Sequence, residues 1–68
     1  MITTRLHIEA HDGLVSPSRH VTKYESISHA IGELLEEGWT SVTFQCDNVA
    51  VLTDCAGDRL IIEVVRWV

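Results

Sequence analysis

Residues 2–10 alternate between apolar and polar side chains almost without exception, and this period of two is typical of a β-strand. Ile2, Leu6 and Ile8 point to one side of the strand. Thr4 and Ala10 share that side, whereas Thr3, Arg5, His7 and Glu9 point to the other. A strand with one wet face needs a covered apolar face, so the rest of the chain has to supply neighbouring strands and a cover.

One helix is predicted as that cover, over residues 26–37. Ser26 is suited to the N-cap because its hydroxyl can accept an unpaired N–H group of the first turn. Apolar residues then recur at helical spacing on one face. Gly38 follows the last turn, where a left-handed residue commonly ends a helix, and Trp39 can pack back on that turn.

The remaining patterned segments predict four more strands. The second strand of the chain is expected to be short and to lie at an edge of the sheet, whereas the last is apolar on both faces and is expected at its centre. The four segments are residues 19–23, 41–46, 49–53 and 59–67. The order ββαβββ predicts an α+β fold: a twisted antiparallel sheet with one helix packed on one face, in a single domain spanning residues 1–68.

A two-residue turn at 47–48 sets the predicted register of the third and fourth strands. It places Phe44 opposite Val51 and Val42 opposite Thr53, with all of these side chains on the helix side. Continuing the pairing into the last strand places its residue 60 opposite residue 53, so the same inner face is extended.

In this register an apolar group lies on the far side of the sheet. Leu52 faces Ile61 there, and Val65 and Trp67 continue along the last strand. A single helix cannot cover both faces, and an open apolar sheet face that contains Trp is typical of an interface. A homodimer is the commonest such interface. The alternative is a twisted sheet that buries this group against the first hairpin.

The charged residues give a second candidate surface. The chain has ten Asp and Glu but only five Lys and Arg, so its net charge is −5. Such a chain repels phosphate backbones and attracts basic protein surfaces. Three Glu crowd the end of the predicted helix with no Lys or Arg on the helix beside them, and three Asp lie at the turns. An ordinary solvated helix face is the alternative. The candidate acids are Glu33, Glu36, Glu37, Asp47, Asp54 and Asp58.

No metal site is predicted from the four His and two Cys. His7 and His11 are not accompanied by a recognised zinc-ligand spacing. The predicted register separates Cys46 from Cys55 by ~20 Å, too far for a disulfide or a shared metal. We therefore interpret Cys46 as a small core residue and Cys55 as a turn thiol.

Catalysis is not expected either, and no cofactor is predicted. The five Ser residues lie outside any nucleophile-elbow motif, and the glycines are isolated rather than grouped in a phosphate loop. Ser28 and His29 are neighbours in sequence, but adjacent residues of a helix do not face each other. No segment reaches the ~20 apolar residues of a membrane span, so we expect a cytoplasmic protein with reduced thiols.

Taken as a whole, a very short acidic chain with one helix on an antiparallel sheet resembles the small phage-encoded anti-CRISPR proteins. The resemblance lies in architecture and charge, with no shared motif, so no residue roles follow from it. It implies an inhibitor in the host cytoplasm that occupies a basic, nucleic-acid-contacting surface of a CRISPR complex with acidic side chains. The expected function is therefore non-enzymatic protein binding. The alternatives are a homodimeric structural or adaptor module and an antitoxin-like partner of a basic toxin.

Overall fold

A computed structural model describes residues 1–67 and has one helix packed on one face of a five-stranded antiparallel sheet. Its elements, in chain order, are β1 (Ile2–Glu9), β2 (Arg19–Tyr24), α1 (Ile27–Glu36), β3 (Ser41–Gln45), β4 (Val49–Thr53) and β5 (Arg59–Trp67). The strands lie side by side in the order β2-β1-β5-β4-β3. The predicted α+β fold is confirmed, with β5 at the centre of the sheet and β2 at one edge.

The helix begins and ends where the local signals predict. The Ser26 hydroxyl accepts a hydrogen bond from the His29 N–H at 3.1 Å. Gly38 has a φ of 118°, which suits glycine at the position that ends the helix. The Trp39 N–H then donates to the Leu34 carbonyl at 3.3 Å, which is the 6→1 bond of a Schellman stop.

The core lies between α1 and the inner side of the sheet, and it draws on every element except β3. One polar side chain, Thr4, is fully buried there, and its hydroxyl donates to the Val21 carbonyl at 3.1 Å, so its polar atom is satisfied. The buried apolar residues are Ile2, Leu6, Tyr24, Ile27, Ala30, Ile31, Leu34, Ala50, Leu52, Leu60 and Ile62.

The register of the β3–β4 hairpin is only partly as predicted. Phe44 lies opposite Val51, which confirms that pair, but Val42 lies opposite Leu52 and not opposite Thr53. A bulge between Val42 and Phe44 causes the shift. Since a bulge adds one residue to one strand, it reverses the alternation, and Val42 and Phe44 point to opposite faces.

The predicted register between β4 and β5 is wrong by one residue. Thr53 pairs with Arg59, and Leu52 pairs with Leu60. The cause is Asp54, whose carboxylate accepts the Asp58 N–H at 3.0 Å and so belongs to the turn rather than to the strand. Leu52 is consequently on the helix side and fully buried. The prediction that it belongs to an open face on the far side is therefore wrong.

A second bulge changes the end of β5. Thr4 pairs with Val64 and Thr3 with Arg66, so Val65 is the extra residue. After the bulge Trp67 lies opposite Ile2, which points into the core. Trp67, 58% exposed, therefore lies on the helix side of the sheet and does not continue from Ile61 on the far side as predicted.

Candidate interaction surface

The sheet face away from α1, which we call the outer face, carries a row of apolar side chains across three strands. Ile61 of β5 lies opposite Val51 of β4, which lies opposite Phe44 of β3. Val49 is two residues from Val51 and shares its face. Phe44 is 53% exposed, and no element of residues 1–67 covers it. We call Phe44, Val49, Val51 and Ile61 the apolar patch.

Two ion pairs on the outer face lie on either side of Ile61, and both join β1 to β5. An Arg5 nitrogen lies 2.7 Å from a Glu63 oxygen, and an Arg59 nitrogen lies 2.7 Å from a Glu9 oxygen. All four side chains are at least partly exposed, so each pair is solvated and contributes little to stability. Their effect is to keep the β1 side of the outer face polar and to mark the border of the apolar patch.

Charge is distributed unequally between the outer face and the rest of the chain. The outer face carries Arg5, Arg59 and Arg66 against Glu9 and Glu63, a balance of +1. The other two cations and eight acids of the chain have a net charge of −6, and adding the +1 of the outer face gives the total net charge of −5. The acidity of the chain therefore belongs to the helix side and the turns.

The predicted acidic group at the helix is not free of cations. The Lys23 ammonium of β2 donates a hydrogen bond to the Glu33 carboxylate, which raises the pKa of Lys23 above its ordinary value. His29 lies 4.0 Å from the same carboxylate, one turn earlier on the helix. Glu36 and Glu37 remain exposed at the end of α1, where Glu37 is also the C-cap residue.

Two of the predicted turn acids organise the backbone. Asp58 accepts hydrogen bonds from the His11 backbone N–H at 2.9 Å and from the His11 ring at 3.0 Å. The backbone hydrogen bond, and to a smaller extent the ring hydrogen bond, hold the pKa of Asp58 below its ordinary value. Asp54 accepts the N–H groups of Ala56 and Asp58, both at 3.0 Å. Asp47 is exposed in the β3–β4 turn. The six acids thus do not form one continuous surface of equivalent residues.

Of the four predicted apolar candidates, only Ile61 belongs to the apolar patch. Leu52 lies in the core, Trp67 lies on the helix side, and Val65 is the bulged residue of β5, 44% exposed. The register predicted from the sequence puts Phe44, Val49 and Val51 on the helix side, because it treats Asp54 as a strand residue and not as part of the turn. The run Asp54 to Asp58, in which an Asp precedes a Gly-containing turn, is the signal that could have found the correct register.

The two edges of the sheet differ in composition. Every residue of β3 is exposed, and the segment 39–46 contains no charged side chain and no Pro. The other edge, β2, carries Arg19 and Lys23 and ends on the buried ring of Tyr24. Charged side chains on an edge strand discourage pairing with another chain, so only β2 has that protection.

Cys46 and Cys55 are free and exposed. The interpretation of Cys46 as a core residue is therefore wrong: its N–H donates to the Val49 carbonyl at 2.8 Å, so it follows Phe44 on the outer face. Within residues 1–67, no three His, Cys, Asp or Glu side chains are grouped closely enough to hold a metal ion. No helix of the described chain has the length and apolar character needed to cross a membrane.

Comparison of the chain with protein-family models, with curated proteins and with solved structures finds no match.

Proposed function

We propose that this chain is a non-enzymatic protein-binding module and that its partner docks on the apolar patch. The observation that carries the proposal is the row of Ile61, Val51 and Phe44 across three adjacent strands, on a face that no element of residues 1–67 covers. Aromatic and aliphatic side chains at the centre of an interface with a polar rim are the usual anchors of protein recognition. Phe44 is the anchor, and the Arg5–Glu63 and Arg59–Glu9 pairs supply part of the rim.

A second candidate function uses the opposite side of the molecule. The balance of −6 outside the outer face, with Glu36 and Glu37 exposed at the end of α1, favours attraction to a basic surface. In this candidate the chain inhibits a nucleic-acid-handling complex, such as a CRISPR effector, by occupying a groove that otherwise holds phosphates. Glu33, Asp54 and Asp58 contribute to the field although their side chains are engaged within the fold.

One capture experiment tests both candidates. Tagged wild type, Val51→Thr/Ile61→Thr and Glu36→Gln/Glu37→Gln are used to capture proteins from host-cell lysate at low and high salt. The threonine variant keeps β-branched side chains, so it removes apolar surface with little effect on strand formation. Docking on the apolar patch predicts that only this variant loses the partner, and that salt has little effect.

The acidic candidate predicts the reverse: the glutamine variant loses the partner, and high salt releases it from the wild type. His20→Gln is the matched control, because His20 lies opposite Arg5 on the polar part of the outer face. Circular dichroism establishes that each variant is folded. A threonine variant that captures the same proteins as wild type contradicts docking on the apolar patch.

A further inference from the structure

We propose that β3 is a pairing edge for a second copy of this chain, with the two β3 strands antiparallel and the two sheets joined into one. This inference stands apart from the proposed function, because it concerns the backbone edge of β3, which shares only Phe44 with the apolar patch. It extends the five-stranded sheet at the one edge that carries no charge.

The first argument is that β3 is an edge without the usual protection. It is the last strand of the sheet, so it has β4 on one side and no strand of the described chain on the other. All five of its residues are exposed, among them Val42 at 39% and Phe44 at 53%. Unpaired backbone groups beside exposed apolar side chains, with no Lys, Glu or Pro, are a template for strand addition.

The second argument is that β3 matches itself under a two-fold axis because of its bulge. Val42 and Gln45 lie opposite Leu52 and Ala50, so both are on the helix side. Positions three apart point to opposite faces in a regular strand, but the bulge gives these two the same face. An axis between Thr43 and Phe44 therefore sets Val42 opposite the second copy's Gln45 with both side chains on the helix side.

The same axis also matches the outer face. Ser41 pairs with Thr53, and the Cys46 N–H donates to the Val49 carbonyl, so Ser41 and Cys46 both belong to the outer side. They come opposite each other across the two copies, and Phe44 of each copy lies next to the axis. The two apolar patches then meet at the junction, which makes one apolar strip out of two.

The third argument concerns charge and selects β3, not β2, as the edge at which a second copy pairs. Two chains that each carry −5 repel each other, and this repulsion is smallest where neither contributes a charge to the contact. Residues 39–46 offer such a contact, because none of them is charged. Pairing through β2 would instead bring Arg19 and Lys23 close to the same two cations of the second copy. Like charges directly opposite in a sheet are unfavourable, so β3 is the edge at which this chain can pair with itself.

A charge exchange across the proposed register tests the inference. Val42→Lys/Gln45→Lys places Lys opposite Lys at two symmetric positions, whereas Val42→Lys/Gln45→Glu places Lys opposite Glu at the same two positions. Sedimentation equilibrium over a range up to millimolar concentration measures the dimer dissociation constant. We expect a wild-type dimer, a dissociation constant at least about tenfold larger in the Lys/Lys variant, and near wild-type dimerisation in the Lys/Glu variant.

A wild type that stays monomeric up to millimolar concentration overturns the inference, as does a Lys/Lys variant that dimerises like the wild type. A Lys/Glu variant that is as monomeric as the Lys/Lys variant overturns the register. Val51→Thr/Ile61→Thr leaves β3 unchanged and is expected to dimerise. Loss of partner capture by that variant is therefore distinguishable from loss of dimerisation.

Discussion

The two edge strands of the sheet, β2 and β3, have similar lengths but differ in how they are attached to the rest of the fold. In β2, Tyr24 is 2% exposed, and its ring lies perpendicular to the His29 ring of α1 with the ring centroids 5.6 Å apart. Lys23 donates a hydrogen bond to Glu33 on the same helix. In β3 every residue is exposed. One long hydrogen bond, 3.4 Å from the Gln45 amide to the Ser28 hydroxyl, joins β3 to the helix.

This difference separates stability from binding. An edge strand that is tied to the helix contributes buried surface to the fold and offers little to another chain. An edge strand that is held mainly by its sheet partner contributes less to the fold and keeps its outward backbone groups available. Two cations and a buried ring lie at β2, whereas β3 has neither, so β3 is the edge with less protection against strand pairing.

The largest expected effect comes from truncating one aromatic side chain at each edge. Tyr24→Ala removes a buried ring and is expected to lower the free energy of unfolding by about 3 kcal/mol or more. Phe44→Ala removes a half-exposed ring and is expected to cost less than about 1 kcal/mol. Urea unfolding measures both values, and equal losses at the two edges would contradict the difference described here.

A smaller loss of stability is expected when the pH is lowered, because acid weakens the anchoring of the loop that leads into β2. Asp58 holds the His11 backbone and ring, so the β1–β2 connection is tied to the β4–β5 turn. Because the pKa of Asp58 is lowered in the fold, its contribution is present above the ordinary carboxyl pKa of about 4 and is lost as the pH falls through the lower folded value.

Asp58→Asn tests this point, because the amide does not titrate. We expect the wild type to melt at a higher temperature than the variant near neutral pH, and the gap to close as the pH falls below 4. Asp47→Asn is the control, since Asp47 is exposed in a turn and accepts no hydrogen bond within residues 1–67. If the difference in melting temperature between the wild type and Asp58→Asn is the same at every pH, the charge of Asp58 does not stabilise the β1–β2 connection.

The smallest effect is expected at the Lys23–Glu33 contact between β2 and α1. Both side chains are partly exposed, so Lys23→Gln should lower the melting temperature only slightly, and only at low salt. Arg19→Gln at the start of the same strand is the matched control for the loss of one edge cation. A loss that persists in high salt would indicate that packing of the Lys23 stem, and not its charge, ties β2 to the helix.

The sequence predicts the elements well because their signals are local. The Ser26 cap, the Gly38 stop and the alternation of β1 each depend on residues that are close together in the chain. The candidate site was predicted less well, because the faces of β3, β4 and β5 depend on register. Bulges at Thr43 and Val65 have no local signature, and each reverses which residues share a face.

The topology also sets the order in which the chain can fold. Arg5 and Glu63 form an ion pair across the β1–β5 ladder although they are 58 residues apart, and that ladder occupies the middle of the sheet. Closing so long a loop has a large entropic cost and slows folding relative to proteins with local contacts. Until residues 59–67 are synthesised, β1 and β4 each lack a neighbour, so the nascent chain passes through a period in which their edges are open to aggregation in addition to those of β2 and β3.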